Sequence, residues 1–190
     1  IVASTYYFGL MIGSIRAQRL IATAGYIRSF AAFVAIISAM PLLHILMINE
    51  IIWCVLRFIC GFCVAGQFVV VESWLNERAC NQKRASLLSV YMMVTHLAVI
   101  SGQFLLYAGS SDKFEVFAYA TLLCVLSMVP LLLTKSAAPH IYEAPKVLQF
   151  TTLYKASPLA FIAVFVYGLN NAAFYGLSAI FVINIGLSES

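Results

Sequence analysis

Arg57, Gln67, His96, Asn170, Asn171 and Tyr175 are the side chains with chemistry to offer, because each interrupts a stretch that is otherwise apolar over about 20 residues. Arg57 and Gln67 lie in WCVLRFICGFCVAGQFVVVESWLNERA, residues 53–79. A guanidinium inside hydrocarbon costs several kcal/mol and persists where it faces a bundle interior or an aqueous cavity. At about 9 Å from the helix end it can also snorkel to the surface, so both readings stand at this point. Gln67 falls about 80° round the helix from Arg57, so the two are expected to border one cavity. Gly61 and Ala65 follow Arg57 at steps of four and make a ridge against which a partner helix can pack closely.

YGLNNAAFYGL, residues 167–177, sets Asn170 and Asn171 between Gly168 and Gly176, about 18 Å from the helix start and so near mid-membrane. Paired amides at that depth either bind a polar solute or join helices by hydrogen bonds. Tyr175 lies one turn on and offers a ring and a hydroxyl, although packing is the commoner use of such a residue. His96 sits mid-span, where a histidine is either a proton carrier or a hydrogen-bonded structural group. His44 and His96 differ by about 8 Å in depth, which excludes a bis-histidine haem. Cys60-x-x-Cys63 lies inside an apolar helix with no second pair or neighbouring histidine, so no metal site is expected. No phosphate loop, catalytic triad or carboxylate pair stands out; no cofactor is implied, and the protein is not read as an enzyme.

The elements that carry these residues follow from composition. The chain is 63% hydrophobic and 9% charged, against roughly a quarter charged in soluble domains. Its mean hydropathy is +0.98. These values describe an all-α, polytopic membrane protein with the bilayer as its solvent. Six spans are expected: from the start to about Arg16, from Arg28 to Ile48, Ile51 to Trp74, Ala85 to Ala108, Val116 to Leu133, and Pro158 to Ile185. The chain starts at Ile1 without an initiator Met or a signal peptide, and is expected to be an excerpt of a longer one.

Nine of the eleven basic residues (Arg16, Arg19, Arg28, Arg78, Lys83, Arg84, Lys135, Lys146, Lys155) fall on one side of these spans. That side is therefore expected to be cytoplasmic. The net charge of +4 is accounted for by this topology and implies no nucleic-acid partner. Residues 135–157 form the one long connection and are expected to link a five-span bundle, 1–134, to the first helix of a second bundle, 158–190. Pro139 and Pro145 disfavour a continuous helix through it, while VLQFTTLY is expected to form a short helix on the membrane surface.

Short loops on one face, a basic loop after the second family span and a long linker before the seventh resemble the major facilitator superfamily, whose members have two six-span halves. RFICGFCVAG resembles the family's fourth-span motif, with Arg57 as the motif arginine and Gly61 as its first glycine. GSIRAQRLIATAGYIR resembles the loop motif in Gly13, Gly25 and Arg28, but Ala22 stands where that motif has an acid. VESWLNERACNQKRAS resembles the acid at the inner end of span four and the base opening span five, so Glu72 and Arg84 are candidates for a substitute charge network with Arg28. The resemblance covers essentially the whole chain, as roughly spans two to seven of twelve. It implies a secondary active transporter of the bacterial inner membrane that moves a small polar or anionic solute by alternating access, with a proton as candidate coupling ion. Arg57, Gln67, His96, Asn170, Asn171 and Tyr175 would border the cavity. Gly13, Gly61, Gly66, Gly168 and Gly176 would permit close helix packing. The alternative is a non-transporting membrane scaffold, receptor or partner subunit, in which Arg57 pairs with another chain.

Overall fold

The structure is a computed structural model. It describes residues 2–80, 82–108, 114–133 and 150–184, all of them in helices, turns or short connections. Seven helices follow in order: α1 Val2–Ala24, α2 Tyr26–Leu46, α3 Glu50–Arg78, α4 Arg84–Ala108, α5 Phe114–Leu132, α6 Phe150–Ala156 and α7 Pro158–Asn184. They divide into two compact units, Ile1–Pro145 and Lys146–Ser190.

Among the described residues, four helices are long and apolar enough to cross a membrane: Tyr26–Leu46, Glu50–Glu77, Arg84–Phe104 and Phe114–Leu132. Pro158–Phe174 is apolar over a shorter described length. The first expected span lies within α1, whose helix continues past Arg16 to Ala24 and is not among the four picked out by length and composition. Ser4, Thr5, Tyr6, Tyr7, Ser14, Arg16 and Arg19 dilute its apolar character, and arginine is too good a helix former to end it.

Packing in the first unit begins with small residues. Gly9, Gly13, Ala17 and Ile21 recur every four residues on α1, and all four are buried. They lie along α3, whose Gly61, Ala65 and Gly66 are also buried. A methyl group on Gly13 would come within 2.5 Å of the Phe62 carbonyl oxygen and 2.9 Å of Ala65 Cβ. On Gly61 it would collide with the Tyr6 carbonyl, and on Gly9 with that of Phe58. In hydrocarbon, where hydrophobic burial gives helices no reason to associate, such close backbone approach supplies the dispersion contacts that do. Gly66 receives the Phe33 ring of α2 in the same way. Ala17, Ile21, Phe33, Cys63 and Val70 form the core where the three helices meet. α5 packs along α2, while α4 lies largely exposed and touches α3 lightly.

Two corners join these helices. Between α1 and α2 the connection is Gly25 alone, with φ 87° and ψ 161°, a conformation open in practice only to glycine. Between α2 and α3, Asn49 caps the incoming helix: its Oδ1 accepts from the Ile51 N–H at 2.9 Å and the Ile52 N–H at 3.3 Å. Trp53 Nε1 then donates back to the carbonyls of Met47, at 2.9 Å, and His44, at 3.1 Å.

In the second unit α6 and α7 meet at Ser157. Its Oγ accepts from the Ala160 N–H at 3.4 Å, and Pro158 takes the first helical position, where its missing N–H costs nothing. The Tyr154 and Phe161 rings meet edge to face at 5.7 Å.

Candidate functional site

Pro41 has no N–H to offer the carbonyl of Ile37, so the hydrogen-bond ladder of α2 is broken one turn below His44. Beside this break lies a cavity of about 380 Å³ between α2, α3 and α5. Ile37, Met40, Pro41 and His44 line it from α2, Trp53, Arg57 and Cys60 from α3, and Val116, Phe117 and Ala120 from α5. Its walls are almost wholly apolar, and its one permanent charge is Arg57.

Arg57 is exposed rather than packed away, and among the described residues no ion pair or hydrogen bond holds it. It lies seven residues into α3, about 10 Å from the end of that helix. Trp53 precedes it by one turn on the same face and meets the His44 ring edge to face, with centroids 5.3 Å apart. His44 is 8% exposed. Its Nδ1 lies 2.7 Å from the Met40 carbonyl oxygen, which can only accept, so the proton of the neutral ring sits on Nδ1. Nε2 is left as a buried acceptor with no partner among the described residues. Arg57 and His44 thus line one apolar cavity, each carrying a polar group with no partner among the described residues, the Nε2 of His44 lying beneath the cavity surface.

The other residues singled out in the sequence lie elsewhere. Gln67 is half-buried on α3 and is not among the residues lining this cavity. His96 is exposed on α4, with Nδ1 2.7 Å from the Met92 carbonyl of its own helix. Asn170 is exposed on α7, and Asn171 donates from Nδ2 to the Tyr167 carbonyl at 3.1 Å. Tyr175 and Gly176 fall within α7, but their side-chain positions lie outside the described residues. Gly168 has open space around it, unlike Gly13, Gly61 and Gly66.

Arg84 Nη2 donates to the Asn76 carbonyl at 3.4 Å, which turns it back on the end of α3. Glu72 is half-buried about 22 Å further along α3 than Arg57, within electrostatic range of Tyr91 on α4. Among the described residues no ion pair joins Glu72, Arg84 and Arg28, and Arg28 is exposed. Within the described residues no group of His, Cys, Asp and Glu has the makings of a metal site. Sequence reasoning passed over His44 and Trp53 as site residues. The available signal was Pro41 three residues before His44, with Trp53 just across a short turn.

Comparison with known proteins settles the family. Residues 1–146 match the model of the sugar (and other) transporter family. The chain belongs to the major facilitator superfamily. It is 27% identical over 190 residues to an uncharacterised MFS-type transporter of Yersinia pestis (strain Pestoides F), covering all of this chain and 50% of that protein. It is 29% identical over 191 residues to the MFS-type transporter YcaD of Escherichia fergusonii, again covering the whole chain and 50% of the relative. An Enterobacter sp. (strain 638) MFS-type transporter shows 29% identity over 192 residues with the same coverage. The chain thus spans about half the length of the curated relatives it matches. No solved structure matches it significantly. The family is one of integral membrane transporters, which agrees with the four apolar helices of spanning length.

Proposed function

We propose that this chain is part of a secondary active transporter that carries a small polar or anionic solute across a bacterial plasma membrane by alternating access, with a proton as the candidate coupling ion. Family membership supports the class of activity. The observation that carries the choice of solute is the lone charge of Arg57 on an apolar cavity without an acidic partner among the described residues. A guanidinium set among apolar walls is stabilised by an anion, or by an acceptor-rich neutral solute, far more than by any cation. Gln67, His96, Asn170, Asn171 and Tyr175 remain candidates for orienting the solute as it moves. The face carrying Gly25 is taken as cytoplasmic because basic residues gather there, which puts the Trp53 corner outside.

The experiment is counterflow by the complete protein in proteoliposomes, with and without Arg57→Gln. The variant is expected to reach the membrane in normal amount and lose at least about 90% of its exchange, a loss of about 1.4 kcal/mol or more in transition-state terms. Unchanged exchange in the variant removes Arg57 from the transport cavity. A wild-type protein that exchanges no anionic or polar solute removes the transporter reading.

A further inference from the structure

We infer that the cavity between α2, α3 and α5 is a binding site for a monocarboxylic acid with an apolar body, taken up together with one proton. The inference rests on reading Arg57 as an uncompensated cavity charge, and it names the class of ligand that the two unpaired polar groups select.

The Met40 carbonyl fixes the neutral His44 ring with its proton on Nδ1, so Nε2 asks for a donor. Arg57 asks for an acceptor. Trp53, which touches the His44 ring, stands one helical turn from Arg57 on α3, about 6 Å of rise, and all three residues line the same cavity. A carboxylic acid has both functions on one carbon. Its O–H donates to Nε2 while its carbonyl accepts from the guanidinium. Moving that one proton gives an imidazolium and a carboxylate between two cations, with the same atoms and the same total charge. A neutral alcohol satisfies Nε2 but leaves the arginine charge unbalanced, and an ester or amide of the acid loses the O–H. An inorganic anion satisfies Arg57 but has no use for Ile37, Met40, Pro41, Val116, Phe117 and Ala120.

Among the described residues, Arg57 and Cys60 of α3 share the cavity wall with His44, and α5 brings Val116, Phe117 and Ala120 to it, with Glu115 exposed in its first turn. Glu50 is exposed at the start of α3. Nε2 has essentially no accessible surface, so the ligand reaches it by a small movement of the cavity wall.

Equilibrium binding of radiolabelled octanoate to the complete protein in phosphatidylcholine nanodiscs tests this, with octanamide as the probe that lacks the acid. Because binding is measured without transport, a protein that binds but does not exchange keeps the inference while losing the transport reading. Saturable octanoate binding, at least tenfold tighter than octanamide, is expected. Arg57→Gln should weaken it at least tenfold. His44→Asn keeps a donor for the Met40 carbonyl and deletes Nε2, and should also weaken it at least tenfold. Wild-type affinity should rise at least tenfold between about pH 8.5 and about pH 6.5, because a proton enters with the carboxylate, and His44→Asn should flatten that rise. Nanodiscs preloaded with oleate distinguish the supply: displaced octanoate identifies an acid delivered from the membrane, and undisturbed binding an acid delivered from water. Octanoate binding no better than octanamide in the wild-type protein overturns the inference, as does affinity unaltered by both substitutions.

Discussion

The two corners of the first three helices are closed by opposite means. At the α1–α2 corner a single residue turns the chain, and the fold relies on the backbone freedom of Gly25. The surrounding side-chain bonds are weak or local: Thr23 Oγ1 to the Leu20 carbonyl at 3.0 Å, and Ser29 Oγ to the same carbonyl at 3.5 Å. At the α2–α3 corner no residue has a positive φ, and side chains hold the turn instead, with Asn49 capping α3 and Trp53 donating to two carbonyls of α2. One corner is a hinge in the backbone and the other a clasp of side chains. The cavity with Arg57 and His44 lies beside the clasp, where a ligand can be met by groups already held in place.

Substitutions should separate the hinge, the clasp and the glycine contact between α1 and α3. The largest effect is expected at that contact. Gly61→Leu drives a side chain into the Tyr6 carbonyl and should cost about 3 kcal/mol, seen as a clear fall in thermal midpoint in detergent. Gly102→Leu, where nothing lies within 4 Å, should stay within about 0.5 kcal/mol of the parent. Equal losses at the two glycines would mean that composition rather than α1–α3 contact is being measured.

Next in size is Gly25→Ala. Nothing crowds that position, so its whole cost is backbone strain, about 2 kcal/mol, and it should appear without any loss of packing around Trp53. The smallest effect is at the clasp. Trp53→Phe keeps the ring contact with His44 but leaves two carbonyls without their donor, and should cost about 1 kcal/mol in thermal unfolding. A larger loss at Trp53 than at Gly25 would reverse the assignment of hinge and clasp.

Much of this architecture is legible in the residues. Apolar runs of about 20 residues mark α2, α3, α4 and α5, because the bilayer sets their length regardless of neighbours. The small residues at steps of four along Arg57, Gly61 and Ala65 do meet a partner helix, since the i, i+4 relation is a property of the helix itself. Features that depend on two helices at once were harder to read. Arg16 and Arg19 suggest a loop, yet the helix runs on to Ala24 because charged side chains there extend into the aqueous interface without breaking it. Glu72 and Arg84 are candidates for a charge network in sequence, which does not foretell that Arg84 also donates to the Asn76 carbonyl across the turn. His44 suggests no site by itself. It becomes one only when Pro41 interrupts α2 and α3 brings Trp53 and Arg57 alongside.

The proposed function requires Arg57 to face a water-accessible cavity rather than lipid. Cys60 lines that cavity one turn below Arg57, and Cys63, further along α3, is 2% exposed in the helix core. The most direct measurement is the rate at which a charged methanethiosulfonate labels each of these thiols, in versions of the complete protein that keep one cysteine at a time. Cys60 should react at least about tenfold faster than Cys63, because only a hydrated path brings a charged reagent to it. Cys60 as inert as Cys63 would mean that no water reaches Arg57, and the cavity reading would fall.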